Sequence, residues 1–291
     1  MRLAGQSHTL HPGLTVRYDG ISCRASQVGV ESMNILRVIV SACLISASVS
    51  TCAMNPRQRA LNALEEMRAE QYFANPIQAN FVTAIGRSDL DAAKQWLAQG
   101  AAVNAVGNDG LSPLIWAMLK QQISAVEFLL REGADPNLVT RWTNDRGREE
   151  WASPLSLASK FEDQRFLKAL LAKDADPNLI VNAVGETALY TAILHKRLQN
   201  MELLITSGAD VNHRSQFGHT PISNAAYQRG FGAVLVLLKS GADPSLESSH
   251  GFSAIAAIKE FGNRGVVIGS ADAAAYPELI AELKRRRYLP D

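Results

Sequence analysis

Helix-ending segments recur along this chain at nearly constant spacing, and a chain with such a period builds one unit several times and stacks the copies. The segments are LAQGAAVN (97–104), LREGADPN (130–137), LAKDADPN (171–178), ITSGADVN (205–212) and LKSGADPS (238–245). Their glycine slot falls at 100, 133, 174, 208 and 241, in steps of 33, 41, 34 and 33 residues, with Asp174 in one of the slots. A second signal keeps phase with the first. SPLI at 112, SPLS at 153, TALY at 187 and TPIS at 220 each lie 21 residues before the following slot. The Ser or Thr can cap a helix through its hydroxyl, and a Pro after it loses only an N–H that the first helical turn leaves unsatisfied. Glycine at the far end supplies the left-handed residue that terminates a helix.

In these residues the chain resembles the ankyrin family, whose unit of ~33 residues carries the signature T-P-L-H-x-A. The resemblance covers about residues 76–261, and the signature histidine is replaced by Ile115, Ser156, Tyr190 and Ser223. That replacement removes a common polar link between repeats. The implied fold is an all-α solenoid of helix-turn-helix repeats with hairpin-like loops. Repeats are expected at 76–106, 107–139, 140–181, 182–214 and 215–247, with a divergent one from 248 to 261. The apolar runs AVEFLL, FLKALL, MELLI and VLVLL have helical spacing and are assigned to packing between neighbours, as are Trp116 and Tyr190 in the signature helices.

Both ends read as caps, because terminal repeats need a polar outer face. Residues 52–75 hold a linker and a helix that starts at Asn55-Pro56 and spaces Leu61, Leu64 and Met67 along one side. Residues 262–291 hold an insertion, GNRGVVIGS, and a last helix over 275–289 with Leu279, Ile280 and Leu283 inward. The KRRR cluster at 284–287 complements the negative end of that helix dipole, or meets anionic lipid headgroups.

The first 54 residues contain all three cysteines, Cys23, Cys43 and Cys52. Residues 33–51 have the order of a secretory signal: a basic start ending at Arg37, an uncharged stretch from Val38 to Val49, then the small residues Ser50 and Thr51. The apolar part is too short to span a bilayer, which takes ~20 residues. Val49-Ser50-Thr51-Cys52 resembles the lipobox of bacterial lipoproteins, in which the signal is cut before the cysteine and that cysteine is lipidated. An ordinary cut near Ala53 is the alternative. Residues 1–32 have no periodicity and would make the signal internal, so they read as a non-native upstream extension with Met33 the true start. A chain beginning at Cys52 keeps 25 of the 29 basic and 26 of the 28 acidic residues, a net −1, which offers no basic field for nucleic acid.

No nucleophile motif, paired catalytic carboxylate or phosphate loop stands out, and GNRGVVIGS lacks the Lys-Ser/Thr ending of a phosphate-cradling loop. His195, His213, His219 and His250 have no cysteine to complete a metal site. The chain is therefore read as non-enzymatic, with no cofactor and no small-molecule substrate.

Ankyrin arrays bind other proteins through a concave face of hairpin tips and inner helices. The contact positions lie just before the Thr-Pro and six or seven residues after the Pro. Carried onto this chain, they fall on Asp109, Leu111, Lys120, Trp151, Lys160, Phe161, Glu186, His195, Phe217, His219, Tyr227, Gln228, Phe252 and Phe261, with Leu119, Ala152, Leu194, His250 and Glu260 beside them. Aromatics recur in this set and supply large contact area at low entropic cost. The 41-residue step inserts eight residues before SPLS, which enlarges one hairpin tip; Arg141, Trp142, Arg146, Arg148 and Trp151 form a projecting anchor there, or the tryptophans fold back on the third repeat.

The resemblance implies a folded protein as partner. With the lipobox it implies a bacterial periplasmic protein tethered to the outer membrane through Cys52. Some bacterial ankyrin lipoproteins of this layout look like immunity proteins that neutralise an antibacterial effector, such as a lipase. Others resemble periplasmic helpers of peroxide defence. If Met1 is the true start, a cytosolic or secreted ankyrin protein that binds host proteins is the remaining reading.

Overall fold

Capping residues set the helix starts. The computed structural model describes residues 67–143, 149–264 and 274–290, all within the unit Asn34–Asp291. Among them, twelve α-helices come in pairs: α1 (Pro76–Gly86) and α2 (Leu90–Ala98), α3 (Pro113–Leu119) and α4 (Ile123–Arg131), α5 (Pro154–Ala158) and α6 (Gln164–Leu171), α7 (Ala188–Leu194) and α8 (Leu198–Thr206), α9 (Pro221–Tyr227) and α10 (Phe231–Lys239), then α11 (Ala254–Arg264) and α12 (Tyr276–Arg285). Ser112 caps α3 by accepting from the Ile115 N–H at 3.2 Å. At α5 and α9 the bond is reciprocal, Ser153 with Ser156 and Thr220 with Ser223, so serine in the signature histidine slot closes a capping box. Thr187, followed by Ala188 instead of proline, starts α7 without a side-chain cap.

Helix ends obey the glycine slot. Gly100, Gly133, Gly208 and Gly241 all take φ between 89° and 98°, and Asp174 takes φ 59° in the same slot. After the slot, an asparagine ladder joins the repeats. Asn104 donates to the Gly133 carbonyl at 3.0 Å and accepts from the Asp135 N–H at 2.8 Å. Asn137, Asn178 and Asn212 repeat this pair of bonds onto the next unit. Each Asp in turn accepts from the residue two ahead, which fixes the loop that carries the next asparagine. The final copy has Ser245, which turns back to Asp243.

The paired helices make two layers. Odd-numbered helices α1 to α11 pack in succession as an inner layer, and α4–α6, α8–α10 and α10–α12 touch in the outer one. The core lies between them, with Trp116, Phe81, Phe128, Phe166, Leu129 and Leu167 among the largest fully buried side chains. The leucine runs of α4, α6, α8 and α10 contribute to this core as the periodicity predicts. Gly86 in α1 has a steric reason: a Cβ there would meet the Trp116 indole nitrogen at 2.5 Å. Trp116 is buried as expected, and its indole N–H has no acceptor.

The C-terminal helix α12 docks on α10. Leu279 and Leu283 are fully buried, Tyr276 meets Phe231 at 4.8 Å between ring centres, and Lys239 pairs with Glu278 at 2.7 Å. Of the KRRR cluster, Arg285 and Arg286 both bind Glu282, at 2.5 and 2.7 Å.

One element departs from an all-helical solenoid. The enlarged tip forms an antiparallel hairpin, β1 (Thr140–Thr143) and β2 (Glu149–Ala152), with Arg141 opposite Trp151 and Trp142 opposite Glu150. Thr and Trp in alternation favour strand, and eight added residues give the tip length to pair. The upstream extension 1–32, the signal segment 33–51, Cys52, the N-terminal cap as far as residue 66, Arg146, Arg148 and the insertion over 265–273 lie outside the described residues, as do the side chains of Asp109 and Trp142.

Candidate partner-binding face

The hairpin tips turn on glycines at positive φ: Gly110 at 69°, Gly185 at 83°, Gly218 at 73° and Gly251 at 70°. Neighbouring tips are tied edge to edge. Asn108 N–H donates to the Tyr72 carbonyl at 2.8 Å, Gln216 to Val184 at 2.7 Å and Ser249 to Phe217 at 3.0 Å. At the β-hairpin the contact is closer still, since a Cβ on Gly110 would lie 2.9 Å from the Arg141 carbonyl oxygen. The tips of the second and third repeats, and those of the fourth to sixth, are thus tied into edges beside the inner helices, and tips and helices together make the inner face.

On that face the structure gathers an aromatic cluster across the fifth and sixth repeats. Tyr227, at the end of α9, is 72% exposed and meets Phe252 edge-on at 5.8 Å; Phe252 meets His219 at 6.2 Å. Phe217 at the neighbouring tip is 46% exposed, and Leu194, in the slot of Tyr227 one repeat earlier, is 54% exposed. Gln228 is half-buried and donates to Asn224. In the third repeat the Arg141 guanidinium lies over the Trp151 ring at 5.3 Å, with Arg141 exposed and Trp151 half-buried.

Several expected contact residues are structural instead. Leu111 and Ala152 are buried, because the residue before the capping Ser points under the tip into the core in these two repeats, and Leu119, the last residue of α3, is buried as well. Phe161 is half-buried, edge-on to Phe166 at 5.3 Å, and Phe261 packs against Phe231 with the Arg229 guanidinium 4.8 Å above its ring. Glu186 accepts from the Asn182 amide at 2.8 Å and so braces its own tip. Lys120 reaches over the Trp116 ring at 5.3 Å and donates to the Met67 carbonyl at 3.3 Å. Lys160 and His195 are half-buried at the ends of their inner helices. The Lys160 carbonyl accepts from Arg197, which also pairs with Glu162 at 3.0 Å.

Tyr190 restores the polar link that loss of the signature histidine was expected to remove. Its hydroxyl donates to the His219 carbonyl and reaches the His213 carbonyl at 3.3 Å. Burial pushes the phenol pKa well above its ordinary value, so it stays a donor. His213 Nε2–H donates to the Gly185 carbonyl at 2.7 Å, which ties that ring into the tips. Among the described residues no group of three or more His, Cys, Asp or Glu could hold a metal ion. No described helix is long and apolar enough to cross a membrane.

Three exposed apolar residues escaped the sequence reading: Val106 at 60%, Ile180 at 53% and Val184. Val184 is 37% exposed at the tip, in the slot three before Thr187 that Phe217 fills before Thr220. The same offset would have found it. At the N-terminal end of the face, Arg68, Glu70, Arg87, Trp116 and Lys120 line a cleft of about 620 Å³.

Comparison with known proteins agrees with this architecture. A family model described as "Ankyrin repeats (3 copies)" matches residues 155–248, and one described as "Ankyrin repeat" matches residues 109–141. Protein PhlB of Serratia liquefaciens is 34% identical over 120 residues, 41% of this chain and 49% of that protein. The ankyrin repeat protein YahD of Escherichia coli is 26% identical over 192 residues, 64% of this chain and 91% of its own. A fowlpox virus ankyrin repeat protein is 31% identical over 140 residues, and the chain spans 22% of its length. An ankyrin repeat domain from Acinetobacter baumannii superposes with a TM-score of 0.55 at 23% identity, over 69% of this chain and 96% of that one, a likeness of fold.

Proposed function

From a chain whose residues 109–141 and 155–248 are ankyrin repeats, which serve as scaffolds for protein–protein interaction, we infer that the inner face is where a folded protein docks. The observation that carries this is the exposed cluster of Tyr227, Phe217 and Leu194 around half-buried Phe252 and His219. Large apolar groups on a rigid face, rimmed by polar residues, match the composition of binding hot spots. The stacked Arg141–Trp151 pair on the β-hairpin is a second anchor, since Arg and Trp are the residue types that concentrate binding energy.

The proposal extends to place and role. The signal-like order of residues 33–51, followed by Cys52, supports export by a bacterium and tethering to the outer membrane, facing the periplasm. A rigid binding face in that location suits an immunity protein that covers the working surface of an incoming antibacterial effector such as a lipase. The bacterial relatives are compatible with this role, and their names do not specify it.

Three experiments divide the reading. Capture on the immobilised soluble form, residues 53–291, is expected to retain one folded partner, and Tyr227→Ala or Trp151→Ala to release it while leaving the melting temperature within a degree or so of the parent. Retention of the partner by both variants would place the binding site elsewhere. Palmitate labelling in a bacterial host is expected in the parent and lost in Cys52→Ala; label that persists in the variant sinks the lipid anchor. Protection of sensitive cells against the partner, abolished by Tyr227→Ala, is the outcome expected of an immunity protein.

A further inference from the structure

Among the described residues, one buried side-chain polar atom has no partner: the indole Nε1–H of Trp116, in a ring that is 2% exposed. Buried donors are almost always satisfied, because an unpaired one has given up its water without replacement. The ring is held in place. Tyr72 meets it at 5.9 Å between centres, and the Lys120 ammonium lies over it at 5.3 Å. Beside the nitrogen stands Gly86. The Cβ that glycine lacks would fall 2.5 Å from Nε1 and 3.5 Å from Lys120 Cγ, so a larger residue would occupy the space next to the donor. Glycine weakens a helix and is used where another group must approach the backbone closely. Contact with the ring accounts for the glycine; it does not account for a donor without an acceptor.

Gly86 and Trp116 both belong to the wall of the cleft of about 620 Å³, and Arg68, Glu70, Thr83 and Arg87 supply its other polar groups. Lys120 is not counted with them, since its ammonium is held by the Met67 carbonyl at 3.3 Å and by the Trp116 ring. Arg68, Arg87 and Glu70 are exposed, and among the described residues none of the three enters an ion pair. The cleft thus offers an indole N–H and two guanidinia on one side of the balance, and a single carboxylate on the other.

We propose that this cleft binds a short peptide through its two free termini, the terminal carboxylate at Trp116 and Arg87 and the terminal ammonium at Glu70. One carboxylate oxygen takes the space beside Gly86 and accepts from the indole N–H. Arg87, the residue after Gly86 and the C-cap of α1, supplies the opposite charge. A carboxylate has lone pairs for both donors at once and binds each more strongly than a neutral carbonyl would. Glu70, on the 3₁₀ turn Ala69–Gln71, selects a ligand that brings its own cation. The volume suits a ligand of a few residues, since pockets of about 300–1,000 Å³ take molecules of that size. The site lies in the first two repeats, away from Tyr227 and Phe252, so it stands or falls independently of the docking role given to the aromatic cluster.

Titration of the ¹⁵N-labelled full chain with trialanine, its C-terminal amide and its N-acetyl form tests it. The Trp116 indole resonance is assigned by its loss in Trp116→Phe, or by elimination with Trp96→Phe, Trp142→Phe and Trp151→Phe should that variant not fold. Trialanine is expected to move this resonance downfield along a saturating curve. The amide should need about tenfold more peptide, as a charge-assisted bond gives way to a neutral one. The N-acetyl form should need about threefold more, the scale of an exposed ion pair. Arg87→Gln should weaken trialanine by about threefold, and Glu70→Gln should make the N-acetyl and free peptides equal. A Trp116 resonance that does not move, equal binding of the acid and the amide, or parental binding by Arg87→Gln would overturn the proposal; discrimination against the N-acetyl form that survives Glu70→Gln would remove Glu70 from it.

Discussion

Gly86 and Asn178 show how single residues carry the fold. Glycine inside an exposed helix costs roughly 1 kcal/mol relative to alanine, so propensity alone predicts that Gly86→Ala stabilises α1. The structure reverses the sign. The added Cβ would sit 2.5 Å from the indole nitrogen of Trp116, which is itself buried, so the ring must shift to admit it. Urea unfolding should show Gly86→Ala less stable than the parent by about 1–3 kcal/mol, the usual cost of overpacking; a gain would mean that Trp116 moves freely. Asn178 holds the next repeat by a bond to the Gly208 carbonyl at 3.0 Å and one from the Asp210 N–H at 2.7 Å. Asn178→Ala should cost about 1–3 kcal/mol, two bonds at about 0.5–1.5 kcal/mol each. The same measurement on Ser245→Ala, which touches no following repeat, should read well below it. Both residues were visible in the sequence, the asparagine as a constant letter after the slot. Their jobs were not visible, because a hydrogen bond across 32 residues and a steric contact across 30 are properties of the stacked repeats.

At the scale of elements, capping and glycine chemistry made the helix pairs legible, since those signals act within a few residues and tertiary packing does not override them. The β-hairpin was legible only as added length. Strand pairing depends on register, and the sequence of the tip does not state which residue faces which. The candidate site divides the same way. Exposed Tyr227 and Phe217 were found from position in the repeat, whereas Leu111 was misassigned because the slot before the capping Ser or Thr faces the core in two copies and half-faces solvent in the others. The last helix, α12, has an electrostatic clasp with a pH signature. Hydrogen bonds from Arg285 and then Arg286 hold the Glu282 carboxyl down to about 2, below the 4.5 of an unperturbed glutamate. A carboxyl with a depressed folded value contributes stability above its unfolded value and loses it as pH falls through the folded one. Amide hydrogen exchange of residues 276–285 should therefore accelerate as pH falls from 4.5 toward about 2, after correction for intrinsic rates. Glu282→Gln should flatten that dependence, and an unchanged profile would show that the clasp contributes nothing to docking.

For the whole molecule, stability is close to a sum of units and their interfaces, because each repeat touches only its neighbours. The asparagine ladder, the edge-to-edge tips and the two helix layers all follow that rule. A perturbation at one end should stay at that end. Ending the chain after Arg264 removes α12, and with it the burial of Leu279 and Leu283 and the Tyr276 contact on Phe231. Fully burying a leucine is worth roughly 1.5–3 kcal/mol, so the sixth unit and its interface with α10 should lose about 3 kcal/mol or more. Exchange protection should fall in α9, α10 and α11 and stay at the parent level in α1 to α4. The urea transition should broaden as the terminal units unfold ahead of the rest. Uniform loss of protection along the array would contradict nearest-neighbour coupling, and unchanged protection in α10 would show that α12 rests on the stack without supporting it. The same locality lets the inner face act as a rigid template: Tyr227 and Phe252 sit two and three units from the β-hairpin, so truncation that loosens α11 should weaken the aromatic cluster and leave the Arg141–Trp151 anchor intact.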